Sequence, residues 1–209
     1  MIAATIGGRR KNILSLAEKG KKYGADIIEI RLDKIIGKGD NLLLIKDIKK
    51  KTSLPIIATK RLFLPDEAIK GIISLVDYVD LEYGEKKHLI DFVKKNKKTL
   101  IISHHNYQNT PEIKTLIFLS SSMEKNGADI VKIATFINNK QDIARLLNFT
   151  YNYKKPIIAI GMGLLGKITR IIAPIFGSLI TYGFINKPYA DGQPSVSLLK
   201  RELEKYRVI

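Results

Sequence analysis

Short apolar runs rich in isoleucine and valine alternate with longer stretches in which apolar residues recur every three or four positions, from one end of the chain to the other. The short runs predict strands at 2–7, 26–32, 55–59, 78–82, 99–103, 129–134, 156–160 and 177–183. Between them the helical spacing covers 12–23, 85–95, 111–125 and 140–151, and a last amphipathic stretch, 195–206, closes the chain. Strand followed by helix, repeated eight times, fits an α/β fold of the closed (β/α)8 TIM-barrel type. About 250 residues is usual for that barrel, so 209 residues imply short loops. An open doubly wound sheet is permitted by the same alternation but seldom carries eight even units in so short a chain. No Gly/Ser/Pro-rich linker interrupts the pattern, so 1–209 is expected to be a single catalytic domain.

Parity within the strands adds chemistry. In Ile27-Ile-Glu29-Ile-Arg31-Leu-Asp33 the charges fall on one face and Ile28, Ile30 and Leu32 on the other, as expected if one face lines the barrel interior and the other meets the helices. A solvent-facing antiparallel strand would give the same alternation. Thr59 and Arg61, Asp80 and Glu82, and Ser103 and His105 share the inward parity at the ends of their strands, and barrel active sites lie at those ends. Glu29, Arg31, Arg61, Glu82 and His105 are thus expected at one mouth, as a site or as ion pairs filling the top layer. Lys132, in Ala128-Asp-Ile-Val-Lys-Ile-Ala134, has apolar neighbours and the parity of Ile130 and Ala134. Burial there would favour a neutral amine, the form that attacks a ketone. The alternative is a lysine whose stem packs while its amine reaches solvent or pairs with Glu82.

Composition narrows the field. With 45% hydrophobic and 27% charged residues the chain is ordinarily globular. The absence of cysteine excludes disulfides and thiolate chemistry, and three histidines make a His-rich metal centre a poor fit, so no metal is expected. No apolar run reaches the roughly 18 residues of a membrane span, and Arg9-Arg10-Lys11 follows the apolar start rather than preceding it, so a cytoplasmic protein without a membrane partner is expected. The net charge of +16 would attract nucleic acid or an anionic substrate. Much of it sits in clusters at 19–22, 49–51 and 94–98, at the ends of helical stretches, where cations complement the helix dipole. With no aromatic-interleaved groove, a basic nucleic-acid-binding domain is the weaker reading.

The segments Glu29-Ile-Arg31-Leu-Asp33, Asp80-Leu-Glu82, Ser103-His-His105-Asn-Tyr107 with Thr110-Pro111, Gly127 to Ala134, Thr169-Arg170, Phe176-Gly-Ser178 with Thr181, and Gly192-Gln193 resemble type I 3-dehydroquinate dehydratase over essentially the whole chain. The resemblance implies a hydro-lyase of the shikimate pathway, serving chorismate and aromatic amino acid biosynthesis. It would convert 3-dehydroquinate to 3-dehydroshikimate through a lysine Schiff base, with no cofactor and often as a homodimer. It assigns the imine to Lys132 and general acid/base work to His105, leaving His104 structural or peripheral. Glu29, Arg31 and Arg61 would bind hydroxyls or the carbonyl region, Arg170 the carboxylate, and Gln193 would be a lid contact. Tyr189, where the family has a serine, joins these substrate-binding positions.

The sequence departs from the family in ways that matter. After Thr59-Lys-Arg61 the family carries an acidic residue and paired glycines, whereas here Leu62-Phe-Leu-Pro65-Asp66-Glu67 follows. Asn106 replaces an aspartate after the histidine. Both changes leave the acid that orients His105 unassigned, with Asp66 or Glu67 as substitutes if the loop shifts. Two alternatives remain. Gly161-Met-Gly-Leu-Leu-Gly166 matches G-x-G-x-x-G but lacks the acidic residue about 20 positions on that a dinucleotide site needs. Together with Ser178 it could instead imitate the phosphate site of a class I Schiff-base aldolase.

Overall fold

The structure, a computed structural model, describes residues 1–206. In chain order its elements are β1 (Ile2–Arg9), α1 (Arg10–Lys22), β2 (Ile27–Ile36), α2 (Asn41–Thr52), β3 (Ile56–Lys60), α3 (Glu67–Lys70), β4 (Tyr78–Glu82), α4 (Lys87–Lys95), β5 (Thr99–Asn106), α5 (Ile113–Lys125), β6 (Ile130–Phe136), α6 (Lys140–Asn152), β7 (Ile157–Met162), α7 (Gly163–Gly166), α8 (Thr169–Ile172), β8 (Thr181–Phe184) and α9 (Val196–Lys205). All neighbouring strands pair in parallel in the order β7-β6-β5-β4-β3-β2-β1-β8. A bridge between Ile157 and Ser178, with the Leu179 amide donating to the Ile157 carbonyl at 2.9 Å, brings the two edges together. The result is a nearly closed (β/α)8 barrel.

The two faces of the strands form two separate apolar clusters, as a period of two requires. Ala3, Ile27, Ile57, Ile101 and Ile158 fill the interior, while Ala4, Ile28, Ile30, Ala58 and Ile102 pack against the helices. At the amino-terminal end of the barrel Asp26, Asp77 and Asp129, just ahead of β2, β4 and β6, accept the amides of Ile2 (2.7 Å), Ile56 (2.8 Å) and Leu100 (2.8 Å), which ties the approach to each of these strands to the neighbouring strand. Lys49 and Lys94, in the last turns of α2 and α4, pair with Asp77 and Asp129. Part of the lysine excess therefore pins helix ends to the barrel floor. No helix among the described residues is long and apolar enough to cross a membrane.

Strand ends differ most from expectation at the open mouth. β1, β2, β5, β6 and β7 run two to four residues past the apolar runs, because backbone pairing continues beyond them: Asn106 stands opposite Thr135 and Phe136 opposite Met162. The eighth strand is the reverse case. A 3-10 turn at Ala173–Phe176 ends on Gly177 in the left-handed region, φ 104°, so 177–183 is not continuous and β8 begins only at Thr181.

Candidate active site

Lys132 stands midway along β6 with its side chain 4% exposed, inside the barrel as its parity requires. Its surroundings are not the apolar ones its sequence neighbours suggested. The amine donates to Asp80 Oδ2 at 2.7 Å, lies 3.8 Å from Glu29 Oε1, and rests over the Tyr182 ring, 4.1 Å from its centroid. Nor is Glu82 its partner, although Glu82, Ser103 and Lys132 are level in the strand register. Glu82 is occupied by other groups, and the short Ser103 side chain between the strands, itself donating to Asp80 Oδ1 at 2.6 Å, leaves the amine free to reach the deeper carboxylate. Burial works to protonate Asp80, but the charges of Lys132 and Arg61 and the bonds from Lys132 and Ser103 outweigh it and hold the carboxyl at about 2. Glu29 accepts from Thr59 Oγ1 (2.9 Å) and Thr5 Oγ1 (2.7 Å), and Thr5 in turn accepts from Gln193 Nε2 (3.0 Å).

His105 projects inward near the end of β5. Its Nδ1 lies 2.9 Å from Glu82 Oε1 and its Nε2 3.3 Å from an Arg61 guanidinium nitrogen. Arg61 also donates to Glu82 Oε2 (2.7 Å) and Ser103 Oγ (3.1 Å). A guanidinium only donates and a carboxylate only accepts, so these partners place the proton on Nδ1 and the lone pair on Nε2. Burial pulls the imidazole below its ordinary value; the Glu82 bond opposes that, and the Arg61 and Lys132 charges add to it. Burial likewise acts to raise Glu82, but the bond and charge of His105 and the charge of Arg61 prevail, and its carboxyl stays below the usual range.

Glu82 therefore fills the place left open by Pro65 and Asn106. Neither proposed substitute does so: Asp66 is bound to His88 and faces Lys60, and Glu67 lies exposed beside Lys70. The inward parity that Glu82 shares with His105 was the available signal, but parity alone does not say which of several inward charges meet. Asp80 was missed as the partner of Lys132 for the same reason, whereas Tyr182, an uncharged residue of the eighth strand, carried no such signal. His104 points to the helix layer, edge-on to Tyr83.

The remaining expected residues converge on the same mouth. Glu29, Arg31, Arg61, His105, Lys132, Arg170, Tyr189 and Gln193 all line one cavity of about 390 Å³, counting its opening to solvent, together with Thr5 and Tyr182, which the sequence did not single out. Arg170, on α8, is 3% exposed and its Nε and one terminal nitrogen have no partner. Burial lowers this guanidinium to about 10, with Glu29 opposing. A buried, unpaired cation opening on a pocket has the chemistry to accept an anion. Arg31 is already held by Asp33 through two bonds, at 2.8 and 2.7 Å. Gln193 accepts from the Tyr189 amide at 2.8 Å, fixing the loop that brings the Tyr189 ring over Gly7. That loop passes tightly against the start of α7: Gly192 has φ +71°, and a Cβ there would lie 2.1 Å from the Gly163 carbonyl oxygen.

The glycine run before α8 holds no anion site of the kind an aldolase phosphate would need. Thr169 Oγ1 accepts from the Gly161 amide at 2.9 Å, the Asp191 carbonyl from the Gly163 amide at 3.2 Å, and Gly166 packs directly on the Gly161 backbone. Ser178 Oγ accepts from the Ala159 amide at 3.0 Å. These glycines serve close packing between β7 and α8.

Fold and pocket together define a (β/α)8-barrel enzyme whose ionisable side chains gather at the carboxyl ends of the strands. The chain belongs to the type I 3-dehydroquinase family, whose model matches residues 2–208. It is 38% identical over 198 residues to the 3-dehydroquinate dehydratase of Thermodesulfovibrio yellowstonii, covering 88% of this chain and 86% of that one. Among solved structures it resembles the 3-dehydroquinate dehydratase of Aquifex aeolicus (TM-score 0.88, 29% identity, all of both chains). That of Clostridium difficile, solved with covalently modified comenic acid, is also similar (TM-score 0.85, 28% identity, 98% of this chain and 91% of that one).

Proposed function

We propose that the chain dehydrates 3-dehydroquinate to 3-dehydroshikimate through an imine on Lys132, the hydro-lyase step of the shikimate pathway. The observation that carries this reading is that Lys132, His105 and Arg170 line one small cavity, with two Arg170 nitrogens unpartnered and the unprotonated Nε2 of His105 held only by a 3.3 Å contact from Arg61. Arg170 takes the substrate carboxylate in a two-pronged contact and so fixes the ring beneath His105. Lys132 condenses with the C3 ketone. The carbonyl oxygen leaves as water and one positive charge stays on the nitrogen, facing Asp80 and Glu29 as before.

The iminium then acts as an electron sink for the adjacent C2–H bond, and His105 Nε2 takes that proton. Its Nδ1–H remains on Glu82, so the imidazolium formed is stabilised where it arises. Electrons return from the neutral enamine to expel the C1 hydroxyl, which takes the proton from His105 and departs as water. Hydrolysis of the product imine frees Lys132. Thr5, Glu29 and Gln193 form a linked chain along one wall, and Arg31, Tyr189 and Arg61 line the opening, so ring hydroxyls are met there rather than at the amine.

The direct test is enone absorbance when purified protein meets 3-dehydroquinate. The wild type is expected to produce it, and Lys132→Ala is expected to lose at least a thousandfold in turnover, as removal of a covalent nucleophile does. Comparable turnover in Lys132→Ala excludes the imine route.

A further inference from the structure

The charge on Lys132 rests against an aromatic face as well as against carboxylates. Tyr182 stands on the inward side of β8, 3% exposed, packed within the interior cluster that includes Ala3, Ile27, Ile158 and Ile180. The amine lies 4.1 Å from its ring centroid. The Tyr182 hydroxyl has no hydrogen-bond partner, so the contact with Lys132 consists of the ring face. Burial, together with the charges of Glu29 and Asp80, keeps the phenol neutral.

We propose that Tyr182 is a further catalytic residue, whose ring face holds the positive charge of the substrate iminium on Lys132 and so sets how much imine accumulates. The proposal rests on the imine reading given above. An ammonium has three N–H donors, and here two carboxylate residues, Asp80 and Glu29, stand within reach of them. Condensation forms the N–C bond and expels the carbonyl oxygen as water, leaving an iminium with the same single charge but only one N–H. At most one of the two carboxylates can then accept a hydrogen bond from it. Attraction to a ring quadrupole needs no N–H, so it persists through the change even as part of the charge spreads onto the imine carbon. When C2 gives its proton to His105 the nitrogen becomes a neutral enamine and the attraction lapses. The ring therefore favours formation of the iminium and gives no help to the proton transfer that follows.

Fluorine withdraws electron density from the ring face with almost no change of shape, which separates charge stabilisation from packing. The experiment takes Tyr182→Phe as reference and places phenylalanines with one, two and three ring fluorines at the same position. Borohydride is added at a fixed, subsaturating concentration of 3-dehydroquinate, and the reduced adduct is counted by intact mass beside KM and kcat. The expected result is a stepwise fall in trapped protein, about tenfold across the series, with the loss carried by KM rather than kcat. A flat series in which the reference still traps substrate overturns the role of Tyr182 while leaving the imine in place. A wild type that traps nothing overturns both.

Discussion

A carboxylate that accepts from an imidazole raises its affinity for protons, and Glu82 does this for His105 against the pull of burial and of the Arg61 and Lys132 charges. The sign of a test follows. His105 works with its lone pair free, so activity is lost as pH falls through its pKa, and the acid limb of kcat/KM should lie below the ordinary imidazole value. Glu82→Gln removes an influence that raises that pKa, so the limb should move to still lower pH. The amide can also offer its NH2 to Nδ1 and reverse the tautomer, and kcat should fall by about a hundredfold. A pH profile that moves upward, or a variant with wild-type kcat, would contradict the positioning role. The inward placement of Lys132 and His105 was legible from the sequence because both share the parity of the barrel interior. The pairings Glu82–His105 and Lys132–Asp80 were not, since they depend on which of several inward charges is left free once Arg61 and Ser103 have taken theirs.

Among the elements, the strands were legible wherever an apolar run ended in polar residues of one parity. β4 is as expected at both ends, while β5 and β6 overrun their apolar runs because His105, Asn106 and Thr135 continue the ladder. The loop after β8 was harder to read, since its course depends on two glycines far apart in sequence. Gly192 lies against the Gly163 carbonyl, and that approach carries Tyr189 and Gln193 over the pocket. Gly192→Ala places a methyl group where no space exists and strains a positive φ, at a cost of about 1–3 kcal/mol. The loop should lift, raising KM at least tenfold by the loss of both side chains from the pocket, with a smaller change in kcat. Steady-state kinetics beside a denaturation curve checks this; unchanged KM would mean that the loop does not shape the pocket.

The whole molecule carries a net charge of +16, part of which, at Arg31, Lys34 and Arg61, lies at the open mouth near the unpaired Arg170. Such a field draws in a small carboxylate and is screened by salt, with a Debye length of about 10 Å at 0.1 M. Between low salt and about 0.5 M, kcat/KM should fall severalfold while kcat stays nearly constant; a salt-independent kcat/KM would confine the role of the charge to the surface.

The proposed reaction itself rests on a covalent nitrogen–carbon bond between Lys132 and the substrate. Borohydride reduction in the presence of 3-dehydroquinate, followed by peptide mass spectrometry, tests that most directly. The account predicts a stable adduct on the peptide containing Lys132, formed by the wild type and also by His105→Ala. An adduct on another lysine, or none in a wild type that still turns over substrate, would contradict it.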